Sequence, residues 1–519
     1  MKKLTAFVLA AAIAVSSCKK AAFKETSPQE ELMSTEQIDA FIKQQFELNK
    51  RFEWKTASDV MIWSAVQQSD KVMAIGYKPA SEGNIDTRIH QVNINDAAWK
   101  SVKETLLNKI LASEQKLDKT ITLQQLIQWE EDVLPVINVN VRSLETVKML
   151  RANNLVRYAE PMGYQPQDVV RAAQQENAGN SAVLSSSGCG SNTGQTGLVA
   201  GSDYSTIAPN TKQSWNYTYH GIPGAWAKST GAGVKVFIID TGCEYDQENL
   251  GTAFNQGSSS GRTIEKTVTL PRPTIFGIPY GSAETPDDGC GHGTSMAGAC
   301  AAPRGTDGAA CGIAYNCNLV TCRAAEDVLL DASREVKGVA TAYTNAANRA
   351  DVKIISMSMG TITSSSQITD AINYAYGKGK LMFCAAGTSF SWTAGWYGVI
   401  FPAWLSNVNA VTGVKEGNFN DNCDACHDGA ETDFTVVMEK ASNGRHALSL
   451  AMSGDVPSTV GGSSVATASM SGMAALVWSR FPAYTRDQVL SKLVVSSSNY
   501  PTRNGSLGWG NVNVNTATN

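Results

Sequence analysis

The chain predicts an α/β protein: a mainly parallel sheet flanked by helices over residues 214–519, preceded by a smaller α+β region at 35–165. Three observations carry this. From about Ser214 onward, short β-branched apolar runs alternate with helical periods, the pattern of parallel strands joined by crossover helices. At 519 residues the chain exceeds one ordinary domain. Its 43% hydrophobic and 17% charged composition supports a substantial core, and a net charge of −4 gives no basic footprint for nucleic acid or for a polybasic membrane patch.

Taken in order, Lys2-Lys3 and the apolar run Leu4 to Val15 form a targeting segment too short to remain as a spanning helix. Ser16-Ser17-Cys18 resembles a bacterial lipobox, so residues 1–18 read as a lipoprotein signal peptide and Cys18 as the lipidated new N-terminus. Residues 19–34 read as a polar tether. Within 35–165, Val136 to Val141 alternates as a strand, Ser143 to Arg151 reads as a helix with Ser143 as N-cap, and Leu155 to Tyr158 reads as a second strand. Residues 166–213, rich in Gly, Ser, Asn, Thr and Gln, read as a protease-accessible linker.

In the larger domain the expected strands are Val234–Ile239, Asn318–Cys322, Val352–Met357, Lys380–Ala385 and Val408–Val414. Val336, Val339, Ala340 and Tyr343 fall at i, i+3, i+4 and i+7, as do Ile368, Ala371, Ile372 and Ala375, marking two helices. A buried small-residue helix is expected to end at Phe481-Pro482. Of 11 cysteines, ten remain once Cys18 is set aside. An even number in an exported chain suggests a disulfide framework, whose connectivity the sequence leaves open.

Three short segments carry chemistry. Asp240 ends the run Val236-Phe237-Ile238-Ile239, His292 opens a helix at Gly291-His292-Gly293-Thr294, and Ser464 opens another at Gly462-Ser463-Ser464-Val465-Ala466. A serine hydroxyl becomes nucleophilic when a base takes its proton, and the base needs an acid to fix its tautomer. Singly, each has a bland reading as a turn Asp, an idle His or an N-cap Ser. Ligands of open α/β sheets bind beyond strand carboxyl ends, and Ser358-Met359-Gly360 and Ala385-Ala386-Gly387-Thr388 end strands there with Asp240.

Together with Ser356-Met357, Phe401-Pro402-Ala403 and Trp509-Gly510-Asn511-Val512-Asn513, these segments resemble the subtilisin-like serine peptidases in family order. The intervals from Asp240 to His292 and from His292 to Ser464 also suit that family. The resemblance implies a serine endopeptidase in which Ser464 attacks, His292 is base and then acid, and Asp240 orients the imidazole. It implies that Ser464 and Thr388 donate to the oxyanion. It further implies that Ser358, Met359 and Gly360 pair with substrate as an added strand, and that Ala385, Ala386 and Gly387 line the primary pocket. Ser463 is a rival nucleophile by proximity, but Ala466 supplies the small residue the family places two positions after its serine. Tyr158-Ala159-Glu160-Pro161 resembles the end of the family's inhibitory prodomains, which makes residues 35–165 an expected chaperone and inhibitor; a permanent accessory domain is the plainer reading.

Thr388 stands where the family usually places an asparagine that donates to the oxyanion, which opens an alternative: a catalytically impaired binding protein that keeps the groove. Asn249-Leu250 replaces an Asp-Leu that often helps bind calcium, so calcium is not expected there. Cys423-Asp424-Ala425-Cys426-His427 matches the C-x-x-C-H of haem attachment, but its Asn- and Asp-rich setting, Glu416 to Gly429, points to a local disulfide in a surface excursion. The expected partners are protein or peptide substrates, the chain's own prodomain and, through the N-terminal lipid, the membrane of the cell envelope, with no cofactor. An outer-membrane location is the expectation.

Overall fold

The computed structural model describes residues 31–167, 189, 192–275, 277–388, 398–424, 426–459 and 461–519. Cys18, its lipobox and residues 168–188 lie outside the described residues.

In the N-terminal domain, four antiparallel strands run in the order Ile127–Trp129, Val136–Asn140, Val72–Tyr77, Val156–Pro161. Every residue of Val72–Tyr77 is buried, which requires that both sheet faces be covered. Helices Asp59–Gln68 and Leu144–Arg151 pack together on the domain's own side, and Ser143 caps the second by accepting from the Glu145 N–H. The other side meets the C-terminal domain. There the Asn138 side chain donates to the Gln367 side chain at 2.8 Å, and a continuous core runs from this domain into Val336, Tyr343, Ile368 and Ile372.

The C-terminal domain is built on a seven-stranded sheet whose neighbours all pair in parallel. Its order is Thr432–Glu439, Asn409–Lys415, Leu381–Ala385, Val352–Met357, Lys235–Asp240, Asn318–Arg323, Ile264–Val268. Residue alternation along the Lys235–Asp240 strand places Val236 and Ile238 in one core layer and Phe237 and Ile239 in the other. The Val236 layer packs helices His292–Ala301 and Gly462–Arg480; the Phe237 layer packs Ser333–Asn348 and Ser366–Gly377. The chain leaves Lys235–Asp240 toward the Ile264–Val268 edge and later returns to its other flank at Val352–Met357. That reversal is a topological switch point, where open sheets of this class leave a crevice at the strand carboxyl ends. Asp240 and Ser358 stand at its two lips.

All five expected strands form, to within a residue at each end. Two further strands were not expected: Ile264–Val268, an edge strand with every side chain half-buried, and Thr432–Glu439. The stretch 166–213 is not all linker. Tyr204–Ile207 and Thr211–Ser214 form a hairpin docked on the C-terminal domain, where the Lys212 N–H donates to the Ala309 carbonyl at 2.9 Å and Asp203 pairs with Arg445 at 2.6 Å. Backbone pairing and buried charge hold it in place of an apolar stripe, which is why its composition reads as a linker.

Two cross-links form among the described cysteines, Cys189–Cys290 and Cys423–Cys426, while Cys243, Cys300, Cys311, Cys317, Cys322 and Cys384 are buried free thiols. The framework expected from ten cysteines is therefore smaller, because most of these side chains serve as small apolar core residues. Among the described residues, no helix is long and apolar enough to cross a membrane.

One glycine is fixed by packing. A methyl group on Gly338, inside helix Ser333–Asn348, would lie 2.2 Å from the Ala324 carbonyl oxygen. Gly338→Ala, which helix propensity alone favours, should instead destabilise the domain by about 2 kcal/mol through overpacking. A lowered denaturant midpoint at unchanged slope is the expected measurement.

Candidate active site

The crevice gathers the three segments. His292 is the first residue of its helix and Asp240 the last of its strand, and the His292 Nδ1–H donates to Asp240 Oδ1 at 2.6 Å. The same carboxylate oxygen accepts from the Thr241 N–H at 2.9 Å. Both side chains are buried. Burial alone would lower the imidazole pKa; the Asp240 carboxylate outweighs it and holds His292 above its ordinary value.

Ser464 lies in the first turn of helix Gly462–Arg480, half-buried where its neighbours are buried. Its hydroxyl donates to the Ser358 carbonyl at 3.3 Å, and the Ser358 hydroxyl donates back to the Ser464 carbonyl at 3.0 Å. This reciprocal pair fixes the helix start against the lip of the Val352–Met357 strand. The bond that Ser464 makes here is thus to Ser358 and not to the imidazole, whose helix packs alongside. Ser463, the rival by sequence, is fully buried.

Beyond the Leu381–Ala385 strand, the Ala386 N–H donates to the Val411 carbonyl at 2.8 Å, and Gly387 adopts φ +126°, a conformation that favours glycine. Its N–H donates to Ser463 Oγ at 3.3 Å, and Thr388 Oγ1 lies 2.9 Å from the same oxygen. The Gly387 carbonyl accepts from the His427 N–H at 2.9 Å, and Thr388 forms a bridge with Cys426. The C-x-x-C segment therefore backs the Gly387-Thr388 turn with Cys423, Cys426 and His427 buried, while residues 417–421 and Asp424 of the same excursion lie at the surface. These residues do not fit a haem. Both thiols are joined to one another, and His427 Nδ1 would stand 2.5 Å from a methyl group on Gly387.

Of the expected substrate strand, Ser358 and Met359 are buried at the crevice, while the Gly360 backbone is already paired. Its N–H donates to the Val328 carbonyl and its carbonyl accepts from the Leu330 N–H, each at 3.1 Å. The chain leaving strand Val156–Pro161 runs past this lip. There the Tyr164 carbonyl accepts from Thr363 at 3.3 Å, and the Gln165 side chain accepts from Thr361 at 3.2 Å. The Asn249 side-chain oxygen accepts from Gln256 at 2.6 Å.

Sequence reasoning missed Asp288. Fully buried, it accepts from the Thr241 and Thr294 hydroxyls at 2.8 and 2.7 Å and from the N–H groups of Gly291 and Thr294 at 2.8 Å each. It thereby satisfies orphan donors at the start of the His292 helix and locks that start to the Asp240 strand end. An acidic residue a few positions ahead of a helix was the available signal. Two N-terminal-domain carboxylates act alike on the helices they face. Asp70 accepts from the Ser333 N–H and hydroxyl, both at 2.7 Å, and Glu160 accepts from the Ser366 N–H and, at 2.9 Å, the Ser366 hydroxyl.

Residues 231–510 match the Subtilase family. A subtilisin from Bacillus sp. (strain TA39) is 27% identical over 278 residues, covering 51% of this chain and 61% of its own length. The chain thus spans about three-fifths of that relative. Thermitase from Thermoactinomyces vulgaris is 28% identical over 258 residues, covering 50% of this chain and 79% of thermitase. Among solved structures, MycP1 from Mycobacterium smegmatis aligns over 61% of this chain and 88% of its own at 21% identity and a TM-score of 0.45. With more than half of its residues in the matched span, this chain belongs to the subtilase family of serine peptidases.

Proposed function

We propose that the protein is an endopeptidase acting through an acyl-enzyme on Ser464, with His292 as base and then acid and Asp240 as the group that orients it. The observation that carries this is the buried 2.6 Å bond from His292 to Asp240 at the same switch-point crevice where Ser464 opens the adjoining helix. The carboxylate fixes the proton on Nδ1, which leaves Nε2 as the acceptor that a serine proton needs. Ser464 Oγ then attacks the scissile carbonyl, the imidazolium returns its proton to the leaving amine, and water repeats the cycle on the acyl-enzyme. Donation from Thr388 and the Ser464 N–H stabilises the oxyanion. A serine-reactive phosphonate should label the wild-type chain and not Ser464→Ala; absence of label on both supports the impaired binding-protein reading instead.

Residues 35–165 serve in this reading as a prodomain, removed by a cut in the 166–213 linker, and Cys18 carries the lipid that holds the exported chain at the cell envelope. Support comes from the docked tail at Thr361 and Thr363 and from the two capped helices. Intact-mass analysis of the wild type beside Ser464→Ala reads lipidation and trimming together.

Docking should then respond to pH. Burial pushes the Glu160 carboxyl up to about 7 against the Ser366 donors that favour its charge, with Asp370 and Glu53 adding to the rise. Asp370 is likewise raised by burial, although Arg157 pairs with it at 2.7 Å and the Tyr158 hydroxyl donates to it at 2.9 Å. A carboxyl whose docked pKa stands above its free value of 4.5 takes up a proton on docking. Its contribution is full below about 4.5, is lost as pH rises toward 7, and is flat above. In the Ser464→Ala chain nicked in the linker, the dissociation constant of the N-terminal domain should rise up to about a hundredfold between pH 4.5 and pH 8. A pH-independent constant would contradict it.

A further inference from the structure

Ser463 is a buried hydroxyl that the peptidase reading leaves without a role. It is 0% exposed, so its hydrogen needs an acceptor inside the protein. Its oxygen accepts from the Gly387 N–H at 3.3 Å, and the acceptor within reach of its hydrogen, among the described residues, is Thr388 Oγ1 at 2.9 Å. The direction of that bond follows. Ser463 donates and Thr388 accepts, because the reverse arrangement would leave the buried Ser463 hydrogen without an acceptor among the described residues, at a cost of about 1–3 kcal/mol. With its oxygen thus engaged, Thr388 has its own hydrogen turned away from Ser463.

Resting on the reading of Ser464 as nucleophile and Thr388 as oxyanion donor, we propose that Ser463 is a positioning residue that orients the Thr388 hydroxyl as a hydrogen-bond donor to the reacting carbonyl. The relay begins at the fixed Gly387 N–H, passes through the Ser463 hydroxyl and ends at the Thr388 hydroxyl, each bond polarising the next. Geometry holds it from the other side as well. Gly462 adopts φ +81°, and a methyl group there would lie 2.8 Å from Thr388 Oγ1, so the backbone closes on the threonine as nearly as a glycine permits. A threonine hydroxyl is shorter than an asparagine amide and rotates freely. Locking that rotor is how it can serve as a preorganised donor.

The test is a double-mutant cycle on peptide hydrolysis, with unfolding midpoints measured beside it. Thr388→Val should lower kcat about a hundredfold, the cost of one oxyanion donor. Ser463→Ala should lower kcat about tenfold with KM within twofold, and Ser463→Thr should restore it to within about threefold. The double variant should be no slower than Thr388→Val alone, because Ser463 acts only through Thr388. A double variant that multiplies the two losses, or a Ser463→Ala chain with undiminished kcat, overturns the relay while leaving the peptidase intact. A wild type whose turnover survives Ser464→Ala overturns the reading beneath it.

Discussion

Ser464→Ala should abolish turnover, by about a millionfold in kcat, as removal of this triad member does in subtilisins. The change deletes one half-exposed oxygen whose bond in the resting protein is a 3.3 Å donation to the Ser358 carbonyl. That bond is worth about 1 kcal/mol, so the fold should survive and the denaturant midpoint should scarcely move. The reciprocal bond from the Ser358 hydroxyl goes to the Ser464 backbone and is untouched. Loss of rate without loss of fold is what separates a nucleophile from a structural residue. Measured on a chromogenic peptide, retained activity would move the nucleophile elsewhere, and Ser463 would be the first residue to replace. If maturation is autocatalytic, the same variant keeps its N-terminal domain attached, and trimming at the wild-type site would place that step in another protease.

Asp240→Asn should lower kcat about ten-thousandfold at neutral pH with the crevice unchanged in shape. An amide can donate to Nδ1 where the carboxylate accepts, which shifts the imidazole hydrogen to Nε2, the nitrogen that must accept the serine proton. The pH profile should move as well. In the wild type, kcat/KM should rise as His292 loses its proton, with a midpoint above the ordinary 6.5 because the carboxylates around it, Asp240 foremost, outweigh burial. Without that charge the burial remains, so the midpoint of the residual activity should fall. A profile that stays in place would show that Asp240 does not govern the imidazole.

The central sheet is legible in the sequence because its strands are buried on both faces and read as β-branched runs; Val236 to Ile239 and Ile354-Ile355 need no partner to be identified. The edge strand Ile264–Val268 is not, since Ile-Glu-Lys-Thr-Val lies half-buried throughout and carries no apolar run. The hairpin at 204–214 hides for a related reason: its anchors are backbone bonds and the Asp203–Arg445 pair, which composition does not register. At the site, Asp240, His292 and Ser464 announce themselves by their flanking glycines and small residues. Asp288 is signalled only by its place just ahead of the His292 helix, and its bond from the Thr241 hydroxyl, like the Gly387 N–H bond to Ser463, joins segments that only the fold brings near. The Cys189–Cys290 pairing spans 101 positions and could be had only from coordinates.

That cross-link has a mechanical consequence. Cys290 stands two positions ahead of His292, so the chain at Cys189 is moored to the rim of the crevice independently of everything upstream. Were the proposed linker cut to fall ahead of Cys189, the new amino terminus would stay tethered to the rim by this bond, its reach set by the residues left before Cys189 at about 3.5 Å each. Reduction of the cross-link would release Cys189 alone, since the Asn192 carbonyl still accepts from the Met452 N–H and the Gln195 N–H still donates to the Pro457 carbonyl, each at 2.8 Å, and the sheet beneath keeps every strand.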